Sequence, residues 1–85
     1  MRSRASTRFW RLFKQLRPEI QRLAIKNYQL WKASHWHSSL HFKKVQGYWV
    51  ARIGDNYRAL GIETGGTITW FWIGPHDAYE RLING

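Results

Sequence analysis

A histidine and a tyrosine stand three residues apart, just after an apolar run that stops at Gly74-Pro75. If the chain turns helically beyond this stop, His76 and Tyr79 share one helix face. Histidine changes protonation near neutral pH and can therefore act as a base or as an acid. Tyrosine is protonated at neutral pH, so it suits an acid and needs cationic neighbours to act as a base. Taken alone, the pair is equally compatible with a capping histidine and a packed tyrosine.

Two arginines flank the turn Gly54-Asp55-Asn56, one on each of the strands predicted around it. Their planar guanidinium groups suit phosphate, because they offer paired donors and keep their charge. If Arg52 and Arg58 project from the same sheet face as His76, the three form a phosphate site. The alternative is an exposed strand arginine at each position, or for Arg58 an ion pair with a nearby acid.

The net charge of +9 is concentrated in the first half of the chain. Residues 1–44 hold 11 lysines and arginines and one acid, whereas residues 45–85 hold three arginines and four acids. Such asymmetry indicates a polyanion or an acidic protein as the partner of the first half. A merely solvated basic surface is the alternative.

The cations outside the arginine pair fall on two predicted helices and on the first predicted strand. On that strand, His41 and Lys43 point to one face and Lys44 to the other, because side chains alternate. An edge strand kept soluble by its lysines is the alternative. The helical cations expected to meet the polyanion are Arg8, Arg11, Arg22 and Lys26.

No metal or cofactor is expected. His35 and His37 flank Trp36, but no further ligand lies nearby at metal-ligand spacing. The five acids are scattered, which argues against two-metal nuclease chemistry, and there is no phosphate-binding glycine loop.

RNA cleavage without a metal needs few parts. A base removes the proton of the 2′-OH, cations stabilise the phosphorane, and an acid protonates the leaving 5′-oxygen. The RNA itself supplies the nucleophile. The residues whose types are sufficient for this chemistry are His76, Tyr79, Arg52 and Arg58.

Two amphipathic helices are predicted in the first half. Residues 1–7 are predicted to be a loose basic arm, at whose end Ser6 or Thr7 can cap a helix running to about Leu16. Pro18 suits the first turn of a second helix, because its missing N–H is not needed there. Apolar residues at helical spacing follow in both segments.

Four short strands are predicted in the second half. Turn residues separate them, so the strands form an antiparallel meander. Segment 77–82 is a candidate for a short closing helix. The prediction is a single α+β domain over residues 1–85, with two N-terminal helices packed on a four-stranded antiparallel sheet. The predicted strands are Leu40–Val45, Trp49–Ile53, Tyr57–Ile62 and Thr67–Ile73.

The last of these strands is apolar on both faces and is expected inside the sheet, covered on one side by the helices. Strict alternation sets Ile68, Trp70 and Trp72 on one face against Phe71 and Ile73 on the other. Cysteine is absent from the chain, which is consistent with a cytosolic protein. No run approaches the roughly 18 apolar residues of a membrane span.

Together these features resemble the RelE/ParE superfamily of bacterial toxins. The shared features are two amphipathic helices, a four-strand meander, a Tyr-Arg at the start of a strand, and a strand ending in Ile-Gly-x-His-x-x-Tyr. The resemblance covers residues 8–83. The segments that carry it are Leu40–Lys44, Trp49–Leu60 and Trp72–Leu82.

The resemblance implies a toxin of a type II toxin–antitoxin pair. RelE-like and HigB-like members cut mRNA in the ribosomal A site, whereas ParE-like members poison DNA gyrase. On the favoured RelE-like branch, Arg58 matches the strand arginine that contacts the scissile phosphate. Tyr79 matches the C-terminal tyrosine of the site, and His76 matches the basic position before it. Arg52 stands where some members place a cationic strand residue.

Three features depart from the superfamily pattern, one being that the C-terminal helix of many members is very short here. Many members begin with a short strand in the sheet, whereas residues 1–7 look too polar and basic for one. RelE itself carries strand lysines as candidate bases, and Val50 and Ala51 are not lysines. Because these strand lysines are absent, His76 is the expected general base.

The expected function is a ribosome-dependent, metal-independent mRNA endonuclease that inhibits translation. Its expected partners are the ribosome, mRNA and an acidic antitoxin bound in a hetero-oligomer, all in the cytoplasm and without a membrane. A ParE-like inhibitor of DNA gyrase without enzymatic activity is the first alternative. The second is an inactive module that binds RNA or antitoxin, with an exposed Trp36 or Trp49 stacking on bases.

Overall fold

One mixed sheet and three helices make up the protein, whose computed structural model describes residues 1–85. The sheet order is β1-β5-β4-β3-β2, with β1 parallel to β5 and the other pairs antiparallel. The α+β class and the four-strand meander are confirmed, and the sheet has a fifth strand. The elements in chain order are β1 (Arg2–Ala5), α1 (Thr7–Lys14), α2 (Pro18–Ala33), a 3₁₀ turn (Ser38–Leu40), β2 (Lys43–Val45), β3 (Tyr48–Ile53), β4 (Tyr57–Thr64), β5 (Thr67–Pro75) and α3 (His76–Asn84).

Both N-terminal helices begin where their capping residues predict. The Ser6 hydroxyl caps α1 by accepting a hydrogen bond from the Phe9 backbone N–H at 3.1 Å. Pro18 opens α2, where its fixed φ fits the first turn. α1 ends at Lys14, slightly before the predicted end at Leu16.

The first residues form a strand, so the prediction of a loose basic arm over residues 1–7 is wrong. β1 pairs in parallel with the first half of β5. Its exposure alternates, with the arginines in solvent and Ser3 and Ala5 half-buried. Such a short polar strand is held mainly by backbone hydrogen bonds to its neighbour. Those bonds depend on a segment far along the chain, and local composition does not reveal them.

Two of the hairpins turn on a pair of residues with positive φ. Gln46 (φ 53°) and Gly47 (φ 86°) join β2 to β3, and Gly65 (φ 58°) and Gly66 (φ 80°) join β4 to β5. Positive φ at both positions is the type I′ turn, which matches the twist of the flanking strands. The third connection, Gly54-Asp55-Asn56, has one residue more and brings polar groups to the end of the sheet.

A β-bulge at Phe71 reverses the side chains partway along β5. Trp70 and Trp72 lie opposite consecutive residues of β4, so Phe71 is the extra residue. Trp70 and Ile73 consequently share the core under the helices, whereas Trp72 packs on the other face. The strict alternation predicted for this strand holds through Phe71 and is wrong from Trp72 onward, because the bulge shifts it by one place.

Each face of the sheet carries its own apolar cluster. The cluster on the helix face includes Ala24 and Trp31 of α2. The smaller cluster lies on the opposite side, called the open face below, and gathers Val50, Leu60, Trp72 and Tyr79. α3 supplies Tyr79 and covers one end of the open face. None of the helices has the length and hydrophobicity that a membrane span requires.

Candidate active site at the end of the sheet

A polar cleft of about 400 Å³ lies where β4 and β5 reach the start of α3. The turn before β4, the end of β5 and the junction between α1 and α2 form its walls. Two predicted site residues, Arg58 and His76, meet in this cleft. The residues that line it are Arg17, Asp55, Asn56, Tyr57, Arg58, Pro75, His76 and Asp77.

Arg52 and Arg58 lie directly opposite each other across β3 and β4. Opposed residues project from the same face of a sheet. That face is the open face, because Val50 and Leu60, each two residues along its strand from one of the arginines, both pack there. On its other side Arg58 is opposite Gly74, which has no side chain to cover the guanidinium. The structure therefore brings the predicted arginine pair onto one face.

The Arg58 guanidinium is anchored through a single nitrogen. Its Nη1 donates to the carbonyl oxygens of Tyr57 at 2.8 Å and Asp55 at 3.2 Å. None of the three salt bridges in the chain involves Arg58, so Nε and Nη2 remain free to bind an anion. Partial burial, followed by repulsion from Arg52, lowers the pKa of Arg58 from its ordinary value. An arginine nevertheless stays charged at neutral pH.

Arg52 is held within the protein by three contacts. Its Nη2 pairs with the Asp55 carboxylate, its Nε donates to the Gly54 carbonyl at 3.0 Å, and its Nη1 lies 3.2 Å from His41 Nε2. A guanidinium cannot accept a hydrogen bond, so this contact requires an unprotonated His41 Nε2. Arg52 therefore orders the turn beside the cleft, whereas Nε and Nη2 of Arg58 have no partner within the protein.

His76 opens α3, and its backbone N–H donates to the Asn56 carbonyl at 2.8 Å. This bond ties the start of the helix to the turn that precedes Arg58. The ring nitrogen Nε2 lies 3.1 Å from Glu80 Oε1, one helical turn later. Nδ1 is consequently the ring nitrogen left for a substrate. The side chain is 38% exposed, so a substrate can reach it.

Tyr79 lies beside His76, as the spacing predicts, with 5.8 Å between the ring centroids. The residue is 8% exposed and packs against the apolar cluster of the open face. Burial, followed by the nearby Glu80 carboxylate, raises the pKa of Tyr79 above its ordinary value of 10.0, and Arg58 acts in the opposite direction. The phenol is therefore protonated at neutral pH.

The remaining predicted cations are spread over the surface. Lys43 lies opposite Val50 and therefore on the open face. Lys44 lies opposite Trp49 on the helix face, with its Nζ 5.3 Å from the centroid of the indole ring. His41 precedes β2 in a left-handed conformation (φ 45°) and contacts the site through Arg52. The predicted cations on α1 and α2, all of which are exposed, are Arg8, Arg11, Arg22 and Lys26.

Two residues of the site were missed in the sequence. Arg17 lines the cleft from the junction between α1 and α2, and no local motif marks it. Glu80 contacts His76, and its i, i+4 spacing from the histidine was a usable signal once a helix after Pro75 was expected. No group of three or more acidic or histidine side chains is placed to hold a metal ion.

Comparison with known families identifies the class of protein. A model of the ParE-like toxin domain matches residues 18–81. This match spans most of the chain, so the protein belongs to the ParE-like toxin domain family, and the resemblance to the RelE/ParE superfamily of toxins is confirmed. No curated protein matches the sequence.

Three solved structures share the fold at low sequence identity. The RelB-RelE antitoxin-toxin complex from Methanococcus jannaschii aligns with a TM-score of 0.71 and 18% identity over 92% of this chain and 95% of that chain. The YoeB/ParE toxin from Agrobacterium tumefaciens aligns with a TM-score of 0.67 and 13% identity over 89% and 99% of the two chains. YafQ from E. coli aligns with a TM-score of 0.60 and 15% identity over 93% and 98%.

Proposed function

We propose that the protein is the toxin of a toxin–antitoxin pair and cleaves mRNA on the ribosome without a metal ion. The observation that carries the proposal is the meeting of three groups at one end of the sheet. Arg58 offers free guanidinium donors, His76 offers a free ring nitrogen, and Tyr79 is a protonated phenol. A cation, a base and an acid are the parts that cleavage through the 2′-OH requires.

In the proposed reaction His76 Nδ1 takes the proton of the 2′-OH. The 2′-oxygen attacks phosphorus, forming the O–P bond of a 2′,3′-cyclic phosphate while the bond to the 5′-oxygen breaks. Tyr79 gives its proton to the leaving 5′-oxygen, and exchange with solvent restores both residues. Arg58 binds the phosphate oxygens, on which negative charge increases in the transition state.

The surroundings of Tyr79 make it the proposed general acid. Its pKa is raised by burial and by Glu80, so the phenol keeps its proton at working pH. Arg58 is close enough to favour the phenolate, and it therefore assists the phenol in losing its proton during the step. Glu80 in turn orients the imidazole of His76 through the contact to Nε2.

The positive helices support the ribosome as the site of action. Cations exposed on α1 and α2 can contact the phosphates of ribosomal RNA, and such binding weakens as salt rises. The basic half of the chain thus supplies docking, and the end of the sheet supplies chemistry. The ribosome and mRNA also make the cytoplasm the proposed location.

An acidic antitoxin is the proposed protein partner. A second, largely apolar groove of about 190 Å³ lies between α1, α2 and the helix face of the sheet. Trp10 and Ile25 line it and are 47% and 48% exposed, although both are large and apolar. An amphipathic segment whose apolar face enters the groove and whose acids meet the surrounding cations would fit this surface. RelB is the antitoxin in the solved RelB-RelE complex.

Inhibition of DNA gyrase is the second candidate function. It is favoured by the ParE-like description of the matching family model and by the YoeB/ParE toxin among the similar structures. A gyrase inhibitor has no need of the groups at the end of the sheet. An inactive module that binds RNA or antitoxin is the third candidate, and it differs from the first in leaving mRNA intact.

The test is to induce the protein in cells and map mRNA ends, with His76→Ala and Tyr79→Phe as variants. We expect new 5′-hydroxyl ends within translated regions for the wild type, and none for His76→Ala. Supercoiling by purified gyrase is measured in parallel. Equal toxicity of all three proteins would contradict the catalytic assignment, and inhibited supercoiling with intact mRNA would favour the gyrase function.

A further inference from the structure

An aromatic pair lies on the open face, away from the cleft. The rings of Tyr48, at the start of β3, and Phe71, at the bulge of β5, have centroids 5.7 Å apart and planes inclined by 55°. Tyr48 is 38% exposed and Phe71 is half-buried against the apolar cluster of this face. The pair is therefore supported from below and open to solvent from above.

The strand register aligns this pair with the arginines of the site. Tyr48, Val50 and Arg52 alternate along β3 and share the open face. The four-residue separation from Tyr48 to Arg52 corresponds to about 13 Å at the usual rise of a strand. Arg58 lies directly across from Arg52. An extended polymer bound to Arg58 can reach the pair within a few of its units.

Charge along this path favours a polyanion. Lys43 of the neighbouring edge strand β2 lies opposite Val50, and therefore at a level midway between Tyr48 and Arg52 along β3. Glu63 of β4 lies on the opposite face of the sheet, where it accepts a hydrogen bond from Trp49 Nε1 at 3.0 Å. The open face thus presents stacking surface and positive charge on the same side.

We propose that Tyr48 and Phe71 form a subsite that stacks an unpaired base of a single-stranded RNA, a few nucleotides from the phosphate bound by Arg58. The inference rests on the proposed function, because it takes the bound polymer to be RNA. Bases of single strands bind proteins by stacking on aromatic rings, while neighbouring cations contact the backbone. The subsite would add affinity at one defined position of the strand.

The experiment measures binding of a short, fluorescently labelled RNA whose 2′-O-methyl groups prevent cleavage. A series of the same RNA carries one abasic nucleotide moved along the strand. For the wild type we expect one abasic position to weaken binding about 5- to 150-fold, the range that stacking of one base supplies. Tyr48→Ala is expected to lose this preference, and Tyr48→Phe is expected to keep it.

Tyr28→Ala is the matched control, because Tyr28 is 39% exposed but lies on α2. Tyr48→Thr replaces the alanine variant if thermal unfolding shows that the latter does not fold. Equal abasic profiles for the wild type and the Tyr48 variant would overturn the subsite, as would a wild type that binds no RNA. Cleavage on ribosomes is measured separately. A base preference that depends on Tyr48 without any cleavage would support the subsite and contradict the proposed function.

Discussion

Replacement of Arg58 by glutamine tests the site most directly. Its Nη1 is occupied by two backbone carbonyls, which leaves Nε and Nη2 as the fork that faces an anion. Each hydrogen bond to a charged group contributes about 1.5–3 kcal/mol, and loss of one such donor in an oxyanion site slows catalysis about 10²- to 10³-fold. We expect Arg58→Gln to slow single-turnover cleavage of mRNA on programmed ribosomes on the order of 10²- to 10⁴-fold.

Arg52→Gln is the matched control, since the two arginines are opposed on one face. Arg52 is already paired with Asp55, whose side chain is 84% exposed, and a pair so exposed is worth about 0–1 kcal/mol. We therefore expect Arg52→Gln to slow cleavage less than about tenfold. Arg58→Lys keeps the charge without the fork and should fall between the two. An Arg52 variant slower than the Arg58 variant, with both folded by thermal unfolding, would refute the reasoning.

Three further outcomes are expected. Glu80→Gln removes the partner of His76 Nε2, so it should slow cleavage about tenfold and displace the pH–rate profile, whereas an unchanged profile would remove Glu80 from the site. The pKa of Tyr79 is raised, so folding favours the neutral phenol, and the stability that this contributes is retained below pH 10 and lost as pH rises through the pKa of the folded state. The free energy of unfolding, measured by chemical denaturation at several pH values, should therefore fall less with rising pH in Tyr79→Phe than in the wild type. Deleting residues 1–5 should lower the free energy of unfolding by about 2–4 kcal/mol, at about 1 kcal/mol for each ladder hydrogen bond lost, and unchanged stability would mean that β1 contributes nothing.

The sequence predicted the elements whose signals are local. Ser6 and Pro18 mark the starts of the two helices through capping chemistry that involves only neighbouring residues. Gly65 and Gly66 mark a hairpin because few other residues adopt positive φ. β1 was missed because its polar side chains carry no strand pattern and its partner lies at the other end of the chain.

The residues of the candidate site were likewise predictable only where the signal was local. The spacing of His76 and Tyr79 and the position of Arg58 beside a turn were visible in the sequence, since helix and hairpin geometry bring those groups together. The ion pair between Arg52 and Asp55 was not predictable, because the side chain of either arginine could reach the carboxylate in the turn. Arg17 enters the cleft through the packing of the helix junction against the end of the sheet, which no spacing rule describes.

The bulge at Phe71 makes the length of β5 matter more than its composition. If the same residues alternated strictly, Trp72 would point into the core under the helices and Ile73 toward the open face. The apolar cluster of the open face would then lose Trp72. Substitutions of similar size within β5 should be absorbed by repacking, as in other cores. Loss of the extra residue Phe71 would remove the bulge and leave Trp72, Ile73 and Gly74 on their present faces and opposite their present partners in β4. One residue added after Trp72 would instead exchange the interior and exposed faces at every position that follows, up to the first turn of α3. Relatives of this chain should therefore vary in residue identity along this segment, and its length should be either the present one or one residue shorter, without the bulge.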